Sequence, residues 1–427
     1  MNLKAVIHDR QIPNGKIRIS GAKNAATRLL AAGLIADDDV ILENFPTELV
    51  DVKYKIDFIK KSGGELNVNT VEEEIKLNSS NFADIILDSY DYPIRTTYLL
   101  VPGLIKKSNR ARIPYPGGCK IGNRGYDLHI MIWETLGAKV KERENYIEII
   151  TDNGFLSGQT IDFPISTVGG TENALICAST IEGETIIKNA YISPEVHCLI
   201  RFLTLLGAKI QVVGNSFIRV RGSKLLKGGR FSVMPDRIEA ITWIIYGILS
   251  GGKITIEEVP FEHMQIPLMH LRDAGIDIYR NERNVYISPE CLTNGVLQPF
   301  EIATGTHPGI ISDMQPFYVL LGLHANGISR VFDYRYPERL KYCQELIKMY
   351  PNMLEWKYGE IKILGKQEFI PIGVEVESTD LRGSMAVLLG ALLAEGTTIV
   401  NNIEMALRGY NNIEEKLTKL GVKIKII

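Results

Sequence analysis

The segment Pro116-Gly117-Gly118-Cys119-Lys120-Ile121-Gly122-Asn123-Arg124 places a thiol in a glycine-rich loop between two cations. Glycines at 117, 118 and 122 allow tight turns and let the backbone approach a ligand closely. Lys120 and Arg124 supply a positive field that favours thiolate over thiol, and exposed N–H groups in such a loop can cradle an anion. The loop reads as a reactive cysteine beside an anion site. A surface turn with an incidental cysteine has the same composition, so the distinction rests on the elements around it.

Length and composition limit those elements. A chain of 427 residues exceeds what a single core of about 250–300 residues organises, which predicts two domains. A formal net charge of −2 excludes a protein that coats nucleic acid, so any anion site must be local. The five cysteines, at 119, 177, 198, 291 and 343, are scattered and contain no Cys-x-x-Cys pair. That pattern fits reduced thiols and no zinc site. Residues 1–10 lack the apolar core of a signal peptide. The longest apolar stretches, around Ala240 to Leu249 and Met385 to Ala394, are far shorter than the ~20 residues of a membrane span. These features predict a cytoplasmic protein with no membrane partner.

A phrase of the form Leu-Gly-Ala-Lys, followed by an alternating strand, recurs along the chain. Its central positions, Gly63, Gly137, Gly207, Gly275, Pro351 and Gly421, are separated by 74, 70, 68, 76 and 70 residues. Six units of about seventy residues therefore account for the chain. A helical pattern precedes each phrase and ends at the glycine, as in Asp127 to Leu136 and Asn411 to Leu420. A hairpin pattern follows, as in Lys209-Ile210-Gln211-Val212-Val213, a turn at Gly214-Asn215, then Phe217-Ile218-Arg219-Val220. A second helix-to-strand phrase occurs at Glu182-Gly183, Gly251-Gly252 and Glu395-Gly396. Each unit is thus a small α/β module of two helices and about four strands that must share a core with its neighbours. Six modules can form one ring or two bodies of three, and size favours two bodies with a cleft between them. The loops richest in glycine and charge, Ser20 to Asn24 and Gly228 to Arg237, are the candidate crossings.

The modules, together with Gly21-Ala22-Lys23-Asn24-Ala25-Ala26, the Cys119 loop, Asp127-Leu128-His129, Asp313-Met314-Gln315, Thr379-Asp380-Leu381-Arg382 and Arg408-Gly409-Tyr410, resemble the enolpyruvyl transferases end to end, in particular the UDP-N-acetylglucosamine 1-carboxyvinyltransferases. The resemblance implies two inside-out α/β barrel domains of three modules each. One would comprise 22–234 and the other 1–21 with 235–427, the active site lying in the cleft between them. It implies transfer of enolpyruvate from phosphoenolpyruvate to a hydroxyl of UDP-N-acetylglucosamine with release of phosphate, the first committed step of peptidoglycan synthesis, without metal or organic cofactor. It also implies an open and a closed state, with the Cys119 loop as lid.

Phosphoenolpyruvate carries a carboxylate and a phosphate, which call for several cations, preferably forked guanidinium groups. The resemblance places Lys23, Arg124 and Arg408 on the phosphate, Arg335 and Arg382 at the carboxylate, and Asn24 close by. Cys119 takes the proton-donor position and can also hold a pyruvyl-type adduct, and Asp313 matches the base. Lys23 and Arg408 complete the catalytic set. For the acceptor, Asn24 and Asp313 match sugar contacts, Val331 a further one, Arg95 and Ile165-Ser166-Thr167-Val168 the diphosphate, and Arg124, Gly125, Tyr126, Asp127 and Leu128 the uridine.

The acceptor half departs from the family pattern. Leu99 stands where tryptophan is common, Gly125 replaces a proline, and Ile165 lies where a lysine often approaches the diphosphate. The hairpin expected between Asp313 and Arg335 is shorter than in the family, and Tyr336-Pro337-Glu338-Arg339 after it is unusual. Those changes leave two alternatives: a related transferase acting on another acceptor such as UMP, and a non-catalytic nucleotide-sugar-binding regulator. The remaining histidines, the cysteines other than Cys119, and Trp133, Trp243 and Trp356 read as structural groups.

Overall fold

The computed structural model describes residues 3–83, 95–115 and 125–427. The Cys119 loop, and with it Arg124, lies outside the described residues. Among the described residues the chain forms two compact units, one from residues 3–20 and 235–427 and the other from residues 21–234.

Every module begins with a helix that the protein encloses. Leu381–Leu393 is buried along its whole length, and in Arg237–Ser250 only Leu249 escapes burial. A helix that is apolar on all sides has no solvent face to offer and must sit at the centre of its unit. In the unit of residues 3–20 and 235–427, Arg237–Ser250, Gln315–Leu323 and Leu381–Leu393 pack against one another. In the other unit, Lys23–Ala32, the helical turns from Thr96 to Ser108 and Val168–Ser179 do the same. The second helix of each module is amphipathic: Gln265–Asp273 buries only Pro267 and Leu271.

The glycine ending that second helix adopts a left-handed conformation, with φ of 84° at Gly63 and Gly137, 119° at Gly207, 87° at Gly275 and 73° at Gly421. In the fifth module Pro351 cannot do this, because its ring fixes a negative φ, and Asn352 takes the role with φ 61°. The hairpin after the turn alternates buried and exposed residues, as in Glu74–Asn78 and Phe217–Gly222, so one sheet face covers the helices.

Six sheets are present among the described residues, three in each unit. In four of them a hairpin and a central strand run antiparallel, in the sheet of the sixth module Lys4–His8 and Lys425–Ile426 take the place of the hairpin, and in all five a short edge strand from another module pairs parallel to the central strand. Glu301–Ala303 leaves the fourth module to join the fifth, Glu375–Glu377 leaves the fifth to join the sixth, and Asn14–Arg18 returns to the fourth beside Lys253–Glu257. That circuit is closed within one unit. In the other, Thr160–Asp162 joins the third module, and Gly229–Ser232 returns to the first beside Val40–Glu43. Lys4–His8 completes the sixth module between Thr397–Asn401 and Lys425–Ile426.

One expectation fails. The segment between Asp313 and Arg335 is not a hairpin but the helix Gln315–Leu323 followed by the strand Gly327–Phe332. Its apolar run, Phe317 to Leu323, is fully enclosed, and burial on every side suits a central helix rather than a two-residue-period strand.

Candidate functional site

In the unit of residues 3–20 and 235–427, the predicted site residues sit where central helices begin and where strands enter the second helix of a module. Asp313 lies just before Gln315–Leu323. Asp380 caps Leu381–Leu393, its Oδ1 accepting from the backbone N–H of Arg382 at 3.2 Å and of Gly383 at 3.4 Å. Arg382 therefore occupies the first turn of a buried helix and is itself 1% exposed. Its Nε lies 3.5 Å from Asp313 Oδ2, and its guanidinium sits 5.0 Å from the centre of the Tyr410 ring. Tyr410 Oη and Thr242 Oγ1 are 2.9 Å apart. Burial alone would lower the Arg382 pKa, but Tyr410, Asp236 and Asp313 outweigh it and hold the group charged.

Arg408 follows the short helix Glu404–Leu407 and is buried. Arg335 is exposed, and its N–H donates to Asp333 Oδ1 at 3.2 Å, as does that of Tyr336 at 2.9 Å. Asp333 Oδ2 accepts from the Ser312 hydroxyl, so one buried carboxylate ties the Arg335 turn to the neighbour of Asp313. Val331 is fully buried in register with Ile302 and Ile361, so its side chain has no surface to offer a sugar.

The sequence reading missed Arg339. It is 4% exposed, donates from Nη1 to Asp313 Oδ1 at 2.7 Å, and donates from Nε and Nη2 to Asp380 Oδ1 at 3.1 and 2.8 Å. The unusual Tyr-Pro-Glu-Arg run drew attention to this turn, but nothing local marks Arg339 as the residue that turns inward.

In the unit of residues 21–234, Lys23 opens Lys23–Ala32, and its Nζ lies 3.1 Å from Asp51 Oδ2. Asn24, next on that helix, is partly exposed. The helix is fixed to the Arg95 segment by Lys55, also missed, whose fully buried Nζ donates to the carbonyls of Thr27 at 2.7 Å and Thr96 at 3.3 Å. Burial, reinforced by Arg28, holds the Lys55 pKa far below that of an ordinary lysine. Its signal was present in the sequence: Lys55 shares the apolar face of Val50–Lys61 with Val52, Ile56 and Ile59.

Three segments matched to the acceptor meet in this unit. Arg95 Nη2 donates to the Gly125 carbonyl at 2.6 Å. Tyr98 stacks on His129 with ring centres 3.5 Å apart, and His129 Nδ1 lies 3.3 Å from Asn173 Nδ2 on the helix Val168–Ser179. Thr167 caps that helix, its hydroxyl accepting from Gly170 N–H at 3.3 Å. Ser166, Thr167, Val168 and Leu128 are partly exposed, and Gly125, Asp127 and Ile165 are exposed. The Tyr126 hydroxyl donates to Glu142 Oε2 at 2.7 Å, which pushes its pKa up to about 12. Leu99 is fully buried, so this position contributes packing to the unit and no accessible ring or alkyl surface.

Burial, with Arg95 nearby, lowers the pKa of His129 from 6.5 to about 3. The unfolded chain therefore binds a proton that the folded chain excludes as pH falls below 6.5, and stability is lost progressively down to about 3. The slope from this one group is at most about 1.4 kcal/mol per pH unit. His129→Gln is expected to flatten the acid side of stability, read as urea midpoints between neutral and mildly acidic pH. An unchanged pH slope would show that His129 does not stay neutral.

Cys177, Cys198, Cys291 and Cys343 are buried, and Trp133 and Trp243 are core residues. Among the described residues, no three His, Cys, Asp or Glu side chains cluster as metal ligands. No described helix is long and apolar enough to cross a membrane.

The family model of EPSP synthase (3-phosphoshikimate 1-carboxyvinyltransferase) matches residues 8–417. A UDP-N-acetylglucosamine 1-carboxyvinyltransferase of Koribacter versatilis is 36% identical over 422 residues, covering 97% of this chain and 94% of that protein. UDP-N-acetylglucosamine 1-carboxyvinyltransferase 2 of Carboxydothermus hydrogenoformans is 35% identical over 434 residues, covering 99% of each. Among solved structures, the enolpyruvyl transferase NikO from Streptomyces tendae superposes with a TM-score of 0.86 at 22% identity, covering 100% of this chain and 99% of that one, which supports the fold. Modules, buried arginines and full-length similarity agree: the chain belongs to the EPSP synthase family, the enolpyruvyl transferases.

Proposed function

We propose that this enolpyruvyl transferase moves the enolpyruvyl group of phosphoenolpyruvate to a hydroxyl of UDP-N-acetylglucosamine and releases phosphate. The observation that carries this reading is the similarity, at 35–36% identity over 97–99% of the chain, to curated enzymes with that name. The paired arginines around Asp313 add support from the chemistry.

In the proposed reaction, the Cys119 thiol gives a proton to the methylene carbon of phosphoenolpyruvate, leaving the adjacent carbon cation-like. The sugar hydroxyl attacks that carbon, and Asp313 takes the hydroxyl proton. The tetrahedral adduct then returns a proton from its methyl group to the Cys119 thiolate as the carbon–oxygen bond to phosphate breaks. The double bond is restored, now in an enol ether, and inorganic phosphate departs. Lys23, Arg124 and Arg408 serve the phosphate, and Arg335 and Arg382 the carboxylate. The reaction requires residues 22–234 and residues 1–21 with 235–427 to act on one pair of substrates. For the acceptor, the reading uses Arg95, the 125–128 turn and the 165–168 segment. Its place is the first committed step of peptidoglycan synthesis in the cytoplasm.

Phosphate release from phosphoenolpyruvate is the direct test, with UDP-N-acetylglucosamine, UMP, UDP and shikimate 3-phosphate as separate acceptors. Release is expected with the nucleotide sugar. Release with UMP alone would redirect the acceptor, and no release with any of the four would favour a binding protein. Cys119→Ser is expected to lower turnover by roughly 10²- to 10⁴-fold, the usual contribution of a positioned acid, while acceptor binding stays measurable by calorimetry. A fully active variant would remove Cys119 from the role of proton donor.

A further inference from the structure

In the unit of residues 21–234, Arg95 and the 165–168 segment belong to separate elements, and buried polar groups attach both elements to the helix Lys23–Ala32. Lys55 Nζ donates to the Thr27 carbonyl of that helix at 2.7 Å and to the carbonyl of Thr96, the residue after Arg95, at 3.3 Å. The Thr27 hydroxyl accepts from Arg28 Nη1 at 2.9 Å, and Arg28 Nε donates at 2.9 Å to Glu172 Oε2, on the helix Val168–Ser179. Lys55 is 0% exposed and Glu172 1%. We propose that Lys55 is a positioning residue for the acceptor, a buried tie that holds Arg95 at the distance from residues 166–168 that a diphosphate requires. The proposal rests on the reading of Arg95 and the 165–168 segment as the acceptor's diphosphate site.

Both hydrogen-bond partners of Lys55 among the described residues are main-chain carbonyls. The carboxylates that act on it are engaged elsewhere, Asp51 with Lys23 at 3.1 Å and Glu172 with Arg28. Burial and Arg28 disfavour its ammonium form, and a neutral amine carries two N–H groups, one for each carbonyl. Hydrogen bonds of this kind fix distance and direction together, which apolar packing at the same place does not. A second contact locates the same turn. A Cβ at Gly169 would lie 2.6 Å from Tyr98 Oη, so glycine there lets the Arg95 turn approach the start of Val168–Ser179 while Tyr98 stays stacked on His129.

The fold determines which substrate feels the loss of Lys55. The helix Val50–Lys61 presents Asp51 and Lys55 on one face, four residues apart. Asp51 meets Lys23, on the donor's side of the chemistry, and Lys55 meets the Arg95 turn. Replacing Lys55 leaves the Asp51–Lys23 pair in place. Methionine keeps the apolar stem of a lysine held neutral, so what disappears is the pair of N–H groups rather than a charge. Lys23–Ala32 is a ten-residue helix with seven buried residues, whereas Thr96–Leu100 is a short 3-10 segment. The turn therefore shifts, and Arg95 with it.

The test uses the whole enzyme with phosphoenolpyruvate and UDP-N-acetylglucosamine, reading steady-state phosphate release and, by calorimetry, acceptor binding. Arg95→Ala is expected to weaken acceptor binding roughly 10- to 100-fold, the range for losing a charge-assisted hydrogen bond. Lys55→Met is expected to forfeit part of that, raising Kd and KM for UDP-N-acetylglucosamine roughly 5- to 20-fold. KM for phosphoenolpyruvate is expected to change less than about twofold. In an Arg95→Ala background, Lys55→Met is expected to cost less than about twofold in acceptor affinity, because the group being positioned is gone.

Unchanged acceptor affinity in Lys55→Met, an equal weakening of both substrates, or an equal loss with and without Arg95 would reduce Lys55 to a packing role and overturn the proposal. Should the methionine variant not fold, Lys55→Gln keeps two N–H donors on a side chain one atom shorter. Its loss must still fall on the acceptor alone and vanish in the Arg95→Ala background. Native acceptor affinity in Arg95→Ala would overturn the reading of the diphosphate site, and the tie with it. A weakened Arg95→Ala combined with an indifferent Lys55→Met overturns only the tie.

Discussion

Asp313→Asn is expected to lower kcat for phosphate release by roughly 10²- to 10⁴-fold, the usual contribution of a positioned base. Asparagine keeps the shape of the side chain but loses the charge and the ability to accept a proton. The local balance changes as well. Arg339 retains Asp380 at 2.8 Å, whereas Arg382 loses its carboxylate neighbour at 3.5 Å and retains the attraction of Asp236 and the Tyr410 face. The neighbourhood becomes more positive by one charge, which favours an anionic substrate. KM for phosphoenolpyruvate is therefore expected to stay level or fall while kcat collapses. Steady-state kinetics decide the matter: a raised KM with unchanged kcat would make Asp313 a binding residue and leave the reaction without its assigned base.

The largest effect on stability is expected from Lys416→Met, about 3–5 kcal/mol, the range for breaking a buried ion pair on one side. Lys416 is 7% exposed, touches Glu239 Oε1 and donates to Ser20 Oγ at 2.7 Å. Glu239, 2% exposed, also accepts from the Ser20 N–H and from Trp243 Nε1, each at 3.0 Å. Methionine fills the space of the lysine stem and leaves the carboxylate without its cation. Adding Glu239→Gln removes that uncompensated charge but keeps an acceptor for only one of the two donors, because Ser20 N–H bonds Oε2 and Trp243 Nε1 bonds Oε1. The double variant is thus expected to recover part of the loss. Urea unfolding of the three proteins provides the check, and a single variant matching the native midpoint would show that the pair contributes no net stability.

The fold was legible where it depends on local rules. Glycines placed every seventy residues or so end helices with positive φ, and the alternation in Lys209–Val213 and Phe217–Gly222 marks a real hairpin. The edge strands were not legible. Glu301–Ala303 is only three residues long, too short for a period to show, and its partner lies in another module. The supposed hairpin after Asp313 was an error of the same origin: an enclosed helix leaves no polar face by which to recognise its period.

Within the site, Asp313 and Arg382 were found through resemblance, and the structure places them 3.5 Å apart. Arg339 escaped because its partners lie 26 and 41 residues away, and an arginine in a Tyr-Pro-Glu-Arg turn has the composition of solvent-facing sequence. Lys55 carried a local clue, a charge among apolar neighbours at helical spacing, but its carbonyl partners at Thr27 and Thr96 are visible only in three dimensions.

The pairing of Lys4–His8 with Thr397–Asn401 and of Asn14–Arg18 with Lys253–Glu257 has a consequence for biosynthesis. These two segments leave the ribosome long before they can find their places, because their hydrogen-bonding partners have yet to be translated. Every described strand of the 21–234 unit has been translated before residue 235 is added, so that unit can mature on the nascent chain once its last strands clear the ribosome, while its companion waits for residues up to Ile426. Until then the leading strands travel with unpaired edges, the interval in which this polypeptide is most open to capture by a chaperone or by another copy of itself.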